Sequence, residues 1–166
     1  MSAIASYASG VRLPESTEWV LHAVTSLAQL DDRATASAAQ LAEHFDVPAA
    51  YLAKQLQTLV RAGVLHAATG PRGGFRLARP ADAITLLDVV EAVDGPTSFY
   101  QCNELRQRGR GASPPEQCRK TCGIAARMYA AEAAWRDSLA GVTVADLLAG
   151  LPRTVAPRTR RLLARP

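Results

Sequence analysis

Apolar positions recur at helical spacing from the first segment onward. In "RLPESTEWVLHAVTSLAQL", Val20, Val24 and Leu27 form one stripe, while Glu18, His22 and Thr25 form a polar one. Pro14 suits the first helical position, where its missing N–H removes no bond. "DDRAT" breaks the pattern. "SAAQLAEHF" then begins with Ser37 and, three residues later, Gln40, the signature of a capping box. Leu41, Ala42 and Phe45 are its core candidates. After a "DVP" turn, "PAAYLAKQLQTLVRAG" predicts a third helix, begun by Pro48 and stopped by Gly63. Leu52, Leu56, Leu59 and Val60 face inward. Lys54, Gln55 and Thr58 face outward, with Tyr51 near the edge.

The period then changes. "VLHAATGPRGGFRLAR" predicts two strands, 64–68 and 75–78, around a glycine-rich turn with Arg72 at its tip. Three helices followed by a two-stranded wing make a winged helix-turn-helix, in which the helix after the turn enters the major groove. "ITLLDVVEAVDG" predicts a further helix, from near Thr85 to Gly95. Residues 96–121 read as irregular, punctuated by Pro96, Gly109, Gly111, Pro114 and Pro115. Loops of that length are usually functional or disordered. "CGIAARMYAAEAAWRDSLAG" predicts a long helix with Ile124, Met128, Ala131, Trp135 and Leu139 on one face, a seam expected to dimerise. "VTVADLLAG" predicts a short capped helix.

The expected organisation is therefore mainly α. A winged helix-turn-helix spans 11–80, a connecting helix and cysteine-bearing loop 81–121, and a dimerisation helix with its short follower 122–150. A basic, flexible tail rich in proline and arginine fills 151–166.

Charge sharpens the picture. The net charge is +4. Residues 48–79 carry five basic side chains (Lys54, Arg61, Arg72, Arg76, Arg79) and no acid, and residues 151–166 carry five arginines and no acid. The rest is net acidic, so the basic segments point to a nucleic-acid face. No apolar run approaches the roughly 20 residues of a membrane span. The opening "MSAIASYASG" lacks a basic n-region, so a cytoplasmic protein is expected. There a disulfide is disfavoured, and three cysteines suggest metal or redox chemistry. Cys118 and Cys122 stand four apart behind Pro114 and Pro115, with Cys102 sixteen residues before Cys118. Both members of the close pair lie at or just before a helix start, where the dipole favours thiolates. The chain has no phosphate loop, dinucleotide fingerprint or serine elbow, so an enzyme is not expected.

"PAAYLAKQLQTLVRAGVL", "GPRGGFRLAR" and "ITLLDVVEAVDG" together resemble the IscR/NsrR-type bacterial transcriptional regulators. "AAWRDSLAGVTVADLL" resembles the family's dimer helix and following turn, and "RLPESTEWVLHAV" its first helix. The resemblance covers roughly residues 11–150. It implies a homodimeric winged-helix regulator, acting as a repressor on palindromic double-stranded operators. It also implies an iron–sulfur cluster near the dimer helix, as in many members, whose state changes DNA binding. Cys102, Cys118 and Cys122 fall in the interval that holds the family's cluster cysteines. The loop between the first two is longer than usual, and Ala125 stands where cluster-assembly regulators place a histidine.

A cluster usually takes four protein ligands, mostly thiolates, with imidazole as a known substitute. His44 and His66 read as packing or surface residues. Glu18 and His22 lie one helical turn apart and share a face. By the resemblance, an acidic residue at the place of Glu18 reaches the cluster of the partner chain. The reading is a [2Fe–2S] cluster bound by Cys118 and Cys122 of one chain and by Glu18 and His22 of the other, with Cys102 a spare thiol or third ligand. The alternative is a [4Fe–4S] cluster on all three cysteines and Glu18. A cluster-free thiol sensor and a repressor of organic-ligand type stay open. By position, Pro48, Ala49, Tyr51, Lys54, Gln55 and Thr58 should meet base edges. Gln55 suits adenine, and Lys54 suits guanine or phosphate. Arg72 and Arg76 should reach the minor groove or backbone. The arginine that often precedes the wing's Gly-Pro in the family is Thr69 here.

Overall fold

A computed structural model describes residues 13–31, 33–70, 73–95, 98 and 100–163. Arg72 and Pro96 lie outside them. Helix α1 (Glu15–Leu27) buries Val20, Ala23, Val24 and Leu27, the stripe read from the sequence. Pro14 sits just outside it as the N-cap, its ψ of 149° still extended. Helix α2 (Ala38–Phe45) is closed by the expected box: Ser37 accepts from the Gln40 N–H, and the Gln40 side chain accepts from the Ser37 N–H at 2.7 Å. Helix α3 (Ala49–Arg61) buries Leu52, Leu56 and Leu59 completely. Truncating a leucine in such a core costs about 2–5 kcal/mol.

Gly63 ends α3 with a φ of +71°, a conformation that disfavours side chains. The Val64 N–H then bonds the Leu59 carbonyl at 2.9 Å, and the Gly63 N–H that of Val60 at 3.0 Å. This double bond pattern seals the helix end and turns the chain into the wing. Strands β1 (Leu65–Ala68) and β2 (Gly74–Leu77) pair antiparallel, Leu65 opposite Leu77 and Ala68 opposite Gly74. Ala36 bridges Phe75 on the outer edge of β2 through two backbone hydrogen bonds of 2.8 and 3.1 Å. Gly74 permits that approach, since a Cβ there would lie 2.6 Å from the Ala36 carbonyl oxygen. The wing is thereby fastened to the start of α2.

Helix α4 (Leu86–Asp94) is capped by Thr85 and Asp88 and packs on α1, where Thr17 donates to Asp94 at 3.2 Å. Helix α5 (Gly123–Ala140) projects from this body with Ala125 alone buried among its residues. Its far end returns through two backbone bonds, Leu86 N–H to Val142 O and Val144 N–H to Ile84 O, both 2.9 Å. Arg136 of α5 also pairs with Glu91 of α4. Helix α6 (Val144–Ala149) follows, capped by Thr143 and Asp146. Among the described residues no helix is long and apolar enough to cross a membrane.

The flexible tail expected over 151–166 is corrected as far as Leu163, and residues 164–166 lie outside the described ones. Residues Val155–Leu163 form helix α7, with Thr159 and Leu163 buried and Leu163 part of the core. Pro157 falls in the first turn, where a missing N–H breaks no intrahelical bond. The apolar side of α7 is covered by α2, which offsets its poor composition.

Candidate nucleic-acid interface and cysteine loop

The start of α3 is open to solvent. Pro48, Ala49, Tyr51 and Lys54 are exposed, while Gln55 and Thr58 are half-buried. The Thr58 hydroxyl donates to the Gln55 carbonyl at 2.7 Å, so it faces its own helix. In the wing, Arg76 is half-buried mid-strand opposite His66. It lines a hollow with Leu27, Leu30 and Asp31 beside the end of α1.

Glu18 and His22 are exposed on α1 and look across a hollow of about 720 Å³ toward Phe45, Val47 and Pro48. His22 meets the Phe45 ring at 5.8 Å, and Trp19, between the two, meets Tyr51 edge-on at 5.6 Å. The face of α1 that carries Glu18 and His22 therefore touches both the turn and the first turn of α3. Trp19 was not anticipated, although its place between two polar residues of the stripe was a signal.

Two short 3-10 turns, 105–107 and 115–118, give the cysteine loop its shape. Arg106 organises them. Its guanidinium grips Glu104 at 2.6 and 2.9 Å and donates to the carbonyls of Lys120 at 2.9 Å and Cys118 at 3.5 Å. Such a forked, charge-assisted set fixes a loop more firmly than single neutral bonds do. Tyr100 packs on Tyr129 of α5 at 5.6 Å, and Ser98 donates to Glu132. The loop is thus laid along the first half of α5.

All three cysteines are free thiols, each half-buried. Cys122 is the N-cap residue of α5. The backbone N–H groups of Ala125 and Ile124 hold its thiol below the ordinary cysteine value, with a smaller push from Arg106. Cys102 and Cys122 both act on the Tyr100 hydroxyl, whose pKa is raised first by desolvation and then by these thiols. Cys118 and Cys122 both stand beside Arg106. Cys122 is thus electrostatically linked both to Tyr100, which Cys102 also influences, and to Arg106, which Cys118 also influences. Among the described residues, no three His, Cys, Asp or Glu side chains of one chain converge into a set that could hold a metal ion. Glu18 and His22 do not belong to the chain's own cysteine loop.

Residues 13–150 match the family described as Rrf2, iron-dependent transcriptional regulator. The chain belongs to the Rrf2 family. Over 97 residues it is 33% identical to YwgB of Bacillus subtilis (strain 168), named as an HTH-type transcriptional regulator; the match takes in 58% of this chain and 62% of that protein. The chain therefore spans less than two thirds of that relative's length. Its fold is that of CymR, the global cysteine regulator of B. subtilis, at a TM-score of 0.66 and 21% identity over 86% of this chain and all of that one. It is also that of T. potens IscR, at a TM-score of 0.64 and 19% identity over 87% and 94%. The Rrf2 family is one of transcriptional regulators, and matching relatives such as YwgB are named as regulators of the helix-turn-helix type rather than as enzymes. The open start of α3 and the wing beside it agree with that. The helices α1 to α6 lie inside the matched segment, and α7 lies outside it.

Proposed function

We propose that this Rrf2 protein is a cytoplasmic, homodimeric repressor whose grip on a palindromic operator follows the state of an iron–sulfur centre at the mouth of α5. Cys118 and Cys122 of one chain would hold a [2Fe–2S] cluster together with Glu18 and His22 of the other, with Cys102 beside them. The observation that carries this reading is the placement of a lowered-pKa thiol, Cys122, at the start of an eighteen-residue helix that its own chain leaves exposed. Such thiolates are the donors that clusters take. Among the described residues one chain does not gather a full ligand set, and the reading takes its remaining donors from a second chain. When bound, the cluster supplies an electron-transfer and ligand-exchange centre. The chain's residues do the rest. Arg106 holds the loop that presents the cysteines, and Trp19 and Phe45 carry displacements of α1 to Tyr51 and the turn. Operator affinity changes only if the two states of the centre favour different placements of α3.

On the DNA, Lys54 and Gln55 read base edges from α3, and Pro48, Ala49 and Tyr51 seat its first turn against the groove. Arg72 and Arg76 supply wing contacts to the backbone or minor groove, and Thr58 supports Gln55 from behind.

The test is the absorption spectrum of anaerobically purified protein with iron and sulfide counted per chain. A coloured protein that bleaches in Glu18→Ala, with all cysteines intact, is the expected outcome. A colourless, iron-free anaerobic sample rejects the cluster. A second reading, a cluster-free thiol sensor, is favoured by the same low Cys122 pKa and by three unpaired thiols. It predicts a DNA-binding response to peroxide in a colourless protein, abolished in Cys122→Ser and untouched in Glu18→Ala.

A further inference from the structure

Helix α7 lies outside the segment that matches the family, so the family assigns it no role. Its position is informative. Gln40, in the first turn of α2, donates its side-chain amide to the Leu163 carbonyl at 3.2 Å. At the other end of α2, the charge of Arg158 reaches His44, whose pKa is lowered by burial and then by that arginine. Helix α7 therefore runs antiparallel along the length of α2, its C-terminal end at the N-terminus of α2. In a helix-turn-helix, the first helix of the motif is the one that crosses the sugar–phosphate backbone.

The chemistry of α7 fits that neighbourhood. Thr159 and Leu163, four apart, are its buried side. Arg158 and Arg161, three apart, share a different side and are exposed. Arg160 is instead drawn to Asp31 at 3.2 Å. No acid occurs anywhere from 151 to 166. A planar guanidinium is the side chain best suited to grip phosphate through two parallel N–H bonds.

We infer that α7 is a second DNA-gripping element, in which Arg158 and Arg161 hold the phosphate backbone that flanks the half-site read by α3. This rests on the DNA-binding reading above and extends it: the grip is independent of sequence and lengthens the footprint on each side of the operator. Each phosphate contact releases counterions, so the contribution appears in the salt dependence of binding.

The experiment compares wild-type, full-length protein with Arg158→Gln/Arg161→Gln on a random-sequence duplex over a salt series. The slope of log affinity against log salt concentration should flatten by about one for each arginine in each chain. Affinity should fall to a similar degree on every duplex. Thermal midpoints should coincide, because both side chains are exposed, and Arg161→Gln alone should give half the change in slope. An unchanged slope in the double variant, with Lys54→Gln showing the ordinary reduction, overturns the inference and leaves α3 as the DNA contact. A wild-type protein that binds no duplex overturns the DNA reading itself. A lowered thermal midpoint with an unchanged slope identifies the arginines as supports of the α7 C-terminus and also overturns the inference.

Discussion

In the winged-helix body, Val20, Leu56 and Val89 from three different helices are fully buried in one apolar core. Along the eighteen residues of α5 only Ala125 is buried, and Ile124 is 69% exposed. The body is held by apolar packing, closed helix ends and a bridged wing. The arm of cysteine loop and α5 is held by polar and aromatic contacts: Arg106 on Glu104 and two carbonyls, Tyr100 on Tyr129, Arg136 on Glu91. A body of the first kind folds by itself. An arm of the second kind leaves apolar side chains such as Ile124 and Tyr129 exposed, and in the proposed reading that seam meets a second chain. In the proposed reading, DNA recognition and signal sensing fall to parts with different sources of order.

The comparison breaks if core and seam respond alike. Leu56→Ala should lower stability by about 2–5 kcal/mol in chemical denaturation. Ile124→Ala, on the exposed seam, should change the stability of the isolated chain by no more than about 0.5 kcal/mol, while weakening self-association in sedimentation. Equal losses in denaturation would show that α5 belongs to the core. Next in size are the helix caps. Ser37→Ala and Thr143→Ala should each cost about 1 kcal/mol. Hydrogen exchange should separate them, with Ser37→Ala loosening α2 and Thr143→Ala loosening the junction between α5 and α4.

Within the arm, the metal-free protein should alkylate first at Cys122. Its thiol pKa is lowered, so the reactive thiolate persists to lower pH, and the rate should rise at a pH below the ordinary cysteine value of about 8.5. Mass mapping of partly alkylated protein at neutral pH checks this; preferential labelling of Cys102 would contradict it. The smallest effect concerns Asp146. Hydrogen bonds from Thr143 hold its carboxyl below the usual range. Its folded-state value lies below its unfolded one, so its stabilisation is present above about pH 4 and is lost as pH falls through the folded value. Asp146→Asn should therefore lower stability slightly at neutral pH, where the contribution is present, and match wild type in acid, so that the acid limb of the profile is flattened.

Much of the body was legible because its signals are local. Ser37 with Gln40 and the leucine spacing of α3 each name an element without knowledge of its neighbours. The wing came within a residue at each end, since Gly63 and the glycine-rich turn bound it. Helix α7 was not read, because proline and arginine without acids suggest a solvated tail. The spacing of Val155, Thr159 and Leu163 was the counter-signal, and it gains meaning only when α2 lies opposite. The cysteines were found by type and spacing. Tyr100, Glu104 and Arg106 were not, because their grouping depends on loop geometry, including the left-handed Glu104, that no periodicity announces.

The bonds that tie Ile84 and Leu86 to Val144 and Val142 have a consequence for variation. The chain leaves the body at the end of α4 and rejoins it at the beginning of that same helix, about 14 Å away at 1.5 Å per residue. Everything between is an excursion whose two anchor points are fixed by one short rigid rod. Lengthening such an excursion adds only a logarithmic closure cost, about 0.6 kcal/mol per doubling. Insertions and deletions in the cysteine-bearing stretch should therefore cost the winged-helix body little.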